Sequence, residues 1–257
     1  MFRFLARSTF ALAGVSAALH ASPTLAAASD AASNTTVVLV HGAFADGSSW
    51  DKVIPLLLAK GVKVVAVQNP LTSLADDVAA AQRVIDAQSG PVVLVGHSWA
   101  GTVITQAGSG PKVKALVYVA AFAPSEGQSS GELGKGYPAP PGIASLQADP
   151  QGFLTLPADS VATNFAQDLP ASETRLMAIT QGPIQAKAFD DKVSVAAWRS
   201  KTNYYIVSSN DRMIDPGLER AFARKIGAKT TTLQTSHVSM LAQPEAVANV
   251  ILDAVAH

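Results

Sequence analysis

Three polar side chains stand at the ends of candidate strands, in an order that suits acyl transfer. Ser98 follows PVVLVGH, Asp211 follows NYYIVSSN, and His237 follows TTTLQTS. A serine hydroxyl attacks a carbonyl effectively only when a neighbouring base takes its proton and a third group orients that base. Serine, aspartate and histidine supply nucleophile, orienting acid and base. Of the five histidines, His20 lies in the N-terminal stretch and His257 ends the chain, while His41 and His97 sit where structural residues at the edge of a site would sit. Asp215 is the rival acid, but its neighbour Pro216 suits it to starting a helix instead.

A nucleophilic serine on a strand-to-helix corner needs small neighbours, because helix and strand nearly collide there. In GHSWAG those neighbours are Gly96 and Gly101, with Ala100 where the usual GxSxG pattern has its second glycine. Acyl transfer also needs donors for the developing oxyanion. One is expected from the amide of Trp99, at the start of the helix after Ser98. The other is expected from Ala43 in HGAFADGSSW, with Phe44 the alternative. The side chains of Phe44 and Trp99 are candidates for lining the pocket, or for the core.

The elements that must hold these groups alternate between strand and helix. Segments at 35–42, 62–68, 91–97, 113–122, 203–209 and 230–235 read as six strands, and a continuous apolar run such as 35–42 suits a parallel sheet buried on both faces. Helical spacing appears between them: a stripe of Trp50, Ile54, Leu57 and Leu58, another at 74–85, a helix at 99–109, and a last one in PEAVANVILDAVA. Such alternation implies right-handed crossovers and an open sheet whose ligands bind at the strands' C-terminal edge. Residues 123–200 interrupt the pattern with no comparable apolar strand. Phe153, Leu154, Phe165, Leu169 and Phe189 give this segment enough apolar surface for an inserted cap rather than a disordered loop.

At the N-terminus, Arg3 and Arg7 precede an apolar run at 10–19 and then the small residues Ala26, Ala27 and Ala28. This is the layout of a signal peptide over 1–28, with a mature chain of 29–257 that is periplasmic or secreted. The run is shorter than the roughly 20 residues that span a bilayer, so no membrane anchor is expected after cleavage. Basic and acidic residues number 19 each, which recommends no nucleic acid as partner. There is no cysteine, so no disulfide, and no metal motif or phosphate-binding loop is present. A small uncharged ester is the substrate this balance favours, with no cofactor.

Together HGAF, GHSWAG, SSNDRMIDP and TSHVSMLAQPE resemble the α/β-hydrolase superfamily, and within it the bacterial EstC-like esterases related to plant methyl-salicylate esterases and hydroxynitrile lyases. The likeness covers 35–257. It implies an α/β-hydrolase fold with a six-stranded, mostly parallel sheet, helices on both faces and a cap, and a carboxylesterase that uses Ser98, Asp211 and His237. The lyases carry a threonine and a lysine where this chain has Gly42 and Val238, and related dehalogenases and epoxide hydrolases carry an aspartate nucleophile where it has Ser98. A second reading stays open: a binding protein of the same fold that keeps the triad but turns over slowly or not at all.

Overall fold

A computed structural model describes Met1 and residues 34–257. The expected signal peptide lies outside the described residues. Six strands form one sheet: β1 (Thr36–Val40), β2 (Lys63–Val67), β3 (Val92–His97), β4 (Val113–Val119), β8 (Thr202–Ser208) and β9 (Lys229–Leu233). Their order is β2-β1-β3-β4-β8-β9, and every pairing is parallel. The central strands are buried along their whole length, as in TVVLV of β1, because helices cover both faces of a parallel sheet.

Direction along the sheet reverses after β2, and right-handed crossovers therefore distribute the helices over two faces. Helices α2 (Leu74–Asp86) and α3 (Ala100–Ala107) pack against each other, while α1 (Ile54–Leu58) packs against the C-terminal α6 (Pro244–Ala256). Between them in sequence come α4 (Ala171–Thr180), in the segment after β4, and α5 (Pro216–Lys225), between β8 and β9.

Residues between β4 and β8 carry a second sheet of three short antiparallel strands, β5 (Gln147–Ala148), β6 (Phe153–Thr155) and β7 (Ile184–Gln185). No strand is expected there from the sequence, because pieces of two or three residues are too short to show a period. Two further expectations are corrected. The helical stripe from Trp50 to Leu58 splits into a 3-10 turn, Gly47–Trp50, and the short α1, so that Leu58 is exposed. The strand expected over 113–122 ends at Val119, since Ala120 takes a left-handed φ of 43° and turns the chain out of the sheet.

Candidate active site

The switch in connection direction falls between β1 and β3, and the loops leaving these two strands meet at the C-terminal edge of the sheet. Ser98 sits in the turn between β3 and α3 with φ 55°, a left-handed conformation that L side chains rarely hold. The turn is locked from several sides. Ser98 N–H donates to Val119 O at 3.1 Å, and Ser98 O accepts from Gly101 N–H at 3.0 Å and Phe122 N–H at 3.2 Å. A methyl group on Gly101 would lie 2.1 Å from Phe122 O, and one on Gly96 would lie 2.7 Å from Ala100 O. Only hydrogen fits at those two positions, whereas Ala100 is accommodated with its side chain fully buried.

His237 and Asp211 are joined. His237 Nδ1 lies 2.5 Å from Asp211 Oδ2, and both side chains are almost wholly buried. Oδ1 of Asp211 accepts from the amides of Met213 at 2.6 Å and Ile214 at 3.0 Å. A carboxyl accepting at both oxygens acts as the carboxylate, which places the imidazole proton on Nδ1 and leaves Nε2 an acceptor. That Nε2 has no partner within the described residues. Asp215 is placed differently. It is the N-cap of α5, its Oδ1 accepting from Gly217 N–H at 2.8 Å and Leu218 N–H at 3.2 Å.

The other two internal histidines order the backbone around the site. Asn69 N–H donates to His41 Nε2 at 2.9 Å, so His41 Nδ1 donates to Gly42 O, also at 2.9 Å. Burial holds this imidazole below its usual pKa. His97 Nε2 donates to the carbonyl of His237 at 3.0 Å, with the two rings 4.6 Å apart. Burial, and then the neighbouring His237, push the His97 pKa well below the imidazole value, so His97 stays neutral beside its partner.

Candidate oxyanion donors lie on both sides of Ser98. A side chain on Gly42 would meet Ser98 Cβ at 2.8 Å, which measures how closely the loop after β1 approaches the serine. In that loop Phe44 N–H already donates to Gly182 O at 3.2 Å, whereas the amides of Ala43 and Trp99 make no hydrogen bond within the described residues. The side chains of the two aromatic candidates part company. Phe44 lines the cavity, but Trp99 turns into the core, where its indole N–H donates to Asp77 Oδ2 at 2.7 Å and its ring meets the edge of Phe189.

A cavity of about 390 Å³ opens over these groups. Ala43, Phe44, Ser98 and His237 form its floor, and Phe122, Ile143, Leu154, Phe189, Met213 and Leu218 are among its apolar walls. Among the described residues Asp215 is its one carboxylate, and no lysine or arginine lines it. Among the described residues, no group of three or more His, Cys, Asp or Glu side chains could hold a metal ion. Two residues at the site escape sequence reasoning. Asp77 looks like a first-turn charge of α2, and Glu219 looks like a solvent-facing charge of α5. Its position three residues before the buried Phe222 and four before Ala223 puts Glu219 on the apolar face, which is the signal that could have revealed it.

The fold recurs in solved structures. Polyneuridine aldehyde esterase is 22% identical, with 86% of this chain and 98% of that one aligned at a TM-score of 0.74. An extracellular alpha/beta-hydrolase from a Paenibacillus species, described as sharing structural and functional homology with tobacco salicylic acid binding protein 2, is 20% identical over 86% and 98% at 0.74. A pyrethroid hydrolase from Sphingobium faniae JZ-2 is 20% identical over 86% and 97% at 0.70. No curated protein sequence matches the chain. The family model described as "Alpha/beta hydrolase family" matches residues 37–250, a span that takes in β1, the Ser98 turn, Asp211 and His237, and the chain belongs to that family.

Proposed function

We propose that the protein is a serine carboxylesterase that hydrolyses small uncharged esters through an acyl-enzyme on Ser98. One observation carries this reading: Ser98, held at φ 55°, lines the same cavity as His237, whose Nδ1 is tied to Asp211 while Nε2 has no partner among the described residues. His237 takes the proton from Ser98 Oγ as the oxygen attacks the ester carbonyl. The tetrahedral oxyanion is received by the amides of Ala43 and Trp99, and the proton then passes from His237 to the departing alcohol. Water, deprotonated by the same base, attacks the acyl-enzyme and releases the acid and Ser98.

The cavity supports the substrate class. Its walls are mostly apolar, its volume falls in the range of small-molecule sites, and among the described residues that line it Asp215 is the only carboxylate and none is a lysine or arginine. An ester bearing its own carboxylate would be desolvated beside a like charge, so neutral esters are preferred. Export to the periplasm or beyond is part of the same proposal and rests on Arg3, Arg7 and the apolar run at 10–19.

A fluorophosphonate probe, which labels only activated serines, tests the reading on the purified protein. The wild type should label while Ser98→Ala and His237→Ala should not, all three being folded. Label on Ser98→Ala would overturn the assignment of Ser98 as nucleophile, and none on a folded wild type would favour a binding protein of the same fold.

A further inference from the structure

The carboxyl of Glu219 is the most unusual group near the site that the proposed reaction does not use. Its side chain hangs from the first turn of α5 into the interior, and the residue is fully buried. Oε2 accepts from the amide of Ser208, the last residue of β8, at 3.0 Å. Oε1 is buried and has no donor within the described residues. Its carboxyl neighbour is Asp211, whose N–H donates to Ser208 O at 3.2 Å, on the same residue whose amide holds Oε2.

Two carboxyl groups in contact away from water cannot both be ionised, since like charges at short range in a poorly solvated interior repel strongly. Asp211 is committed as acceptor to the Met213 and Ile214 amides and to His237 Nδ1. The shared proton therefore belongs on Glu219. Burial, then the charge of Asp211, push the Glu219 pKa well above the carboxylate range, with the Ser208 amide and then the charge of Arg220 opposing. Tyr205 of β8 also lies close to Glu219, but its hydroxyl is spent, donating to Ala121 O at 2.5 Å.

We propose that Glu219 is a positioning residue for the esterase reaction, holding a proton on Oε1 and donating it in a hydrogen bond to the Asp211 carboxylate. This rests on the reading of Asp211 and His237 as acid and base. The bond gives Asp211 a further donor beside its two backbone amides. Because Glu219 is clamped at the same time to Ser208, it ties the loop carrying Asp211 to the end of β8 and so fixes where His237 points.

Glutamine is the isostere of this protonated state: its carbonyl can accept from Ser208 N–H and its amide can donate to Asp211. Glu219→Gln should keep kcat/KM within a few-fold of wild type, with the acidic limb of its pH profile unmoved. Glu219→Leu removes a donor to a charged acceptor and should lower kcat about ten- to hundredfold with KM little changed. Infrared spectroscopy on the full chain reads the proton directly and needs no turnover. At neutral pH the wild type should show a protonated-carboxyl stretch that Glu219→Gln lacks. Absence of that difference would overturn the proposal, as would Glu219→Leu with unchanged kcat. So would a shift of the acidic limb by a unit or more toward lower pH in Glu219→Gln, the mark of an ionised Glu219 that had been stabilising the imidazolium. Should Glu219→Leu fail to fold, the infrared comparison and the pH profile of Glu219→Gln still decide. Fluorophosphonate labelling of the wild type tests the underlying triad separately, since an unlabelled protein can still show the Glu219 proton.

Discussion

Trp99 and Asp77 meet in the protein interior, the indole nitrogen 2.7 Å from Oδ2, so the residue after the candidate nucleophile is anchored to α2. Asp77 also accepts from Leu71 N–H at 2.8 Å. Burial nonetheless pushes its pKa up to about 6, the indole and the Leu71 amide opposing. A carboxyl whose folded pKa lies above its unfolded one stabilises the fold at low pH and loses that contribution as pH rises through the folded value. Between about pH 4 and pH 6, Asp77 should therefore withdraw up to about 3 kcal/mol of stability. Asp77→Asn should lack this slope, so the stability difference between wild type and variant, measured by urea unfolding at pH 4 and pH 7, should shrink or reverse at the higher pH. A constant difference would show that folding does not raise the pKa of Asp77.

The two aspartates of SSNDRMIDP should separate by kind of damage. Asp211→Asn removes the acceptor that fixes the imidazole tautomer, and kcat should fall by about 10³ to 10⁴ with little loss of stability. Asp215→Asn keeps an N-cap, and Asp215→Ala should lose about 1 kcal/mol of stability, with kcat in both staying within a few-fold of wild type. Steady-state kinetics alongside thermal melts would show this, and a collapse of kcat confined to Asp215→Asn would reverse the choice of acid.

Asp215 also bears on selectivity. Between two esters of matched size, one neutral and one carrying a carboxylate, Asp215→Asn should raise kcat/KM for the anionic ester about tenfold and leave the neutral one nearly unchanged. One tenfold step corresponds to about 1.4 kcal/mol, a modest figure for a like charge in a partly enclosed cavity. Equal changes for both esters would show that Asp215 does not face the bound substrate.

The small residues around Ser98 should be unequal in their tolerance. Gly101→Ala drives a methyl into Phe122 O and should lose about 3 kcal/mol or fail to fold. Ala100→Gly should lose only about 1 kcal/mol, through the entropy of a helical glycine. At Ser98 itself, with φ 55°, glycine should be tolerated better than alanine by about 1 kcal/mol, although both variants should be inactive on the proposed reading. Urea midpoints of the four variants check the ranking, and equal stability of Gly101→Ala and wild type would contradict the packing of this turn.

Much of this geometry can be read from residue order, because the inner strands are apolar runs and even β9, a run of β-branched threonines, has strand composition, and Ser98, Asp211 and His237 all follow the ends of strands. Asp215 before Pro216 announces its own cap. What is hidden depends on contacts distant in sequence. Trp99 gives no sign that its indole will find Asp77 on another helix, and nothing local to Glu219 names Asp211 as its neighbour. The strands β5 to β7 are hidden for a different reason: each is held by its partners rather than by an amphipathic pattern of its own.

The bond from Phe44 N–H to Gly182 O ties two distant parts of the chain together. Gly182 precedes β7, and the same stretch is stitched down again at the entry to α2, where Gln185 N–H meets Leu71 O and where Asp191 accepts from Leu74 N–H. The loop that carries Ala43 and the stretch 182–191 are thus one mechanical unit. None of 182–185 lines the cavity, yet a displacement there would pull on the backbone next to the Ala43 amide, so on the proposed reading the anion receptor is held in place partly from outside the site.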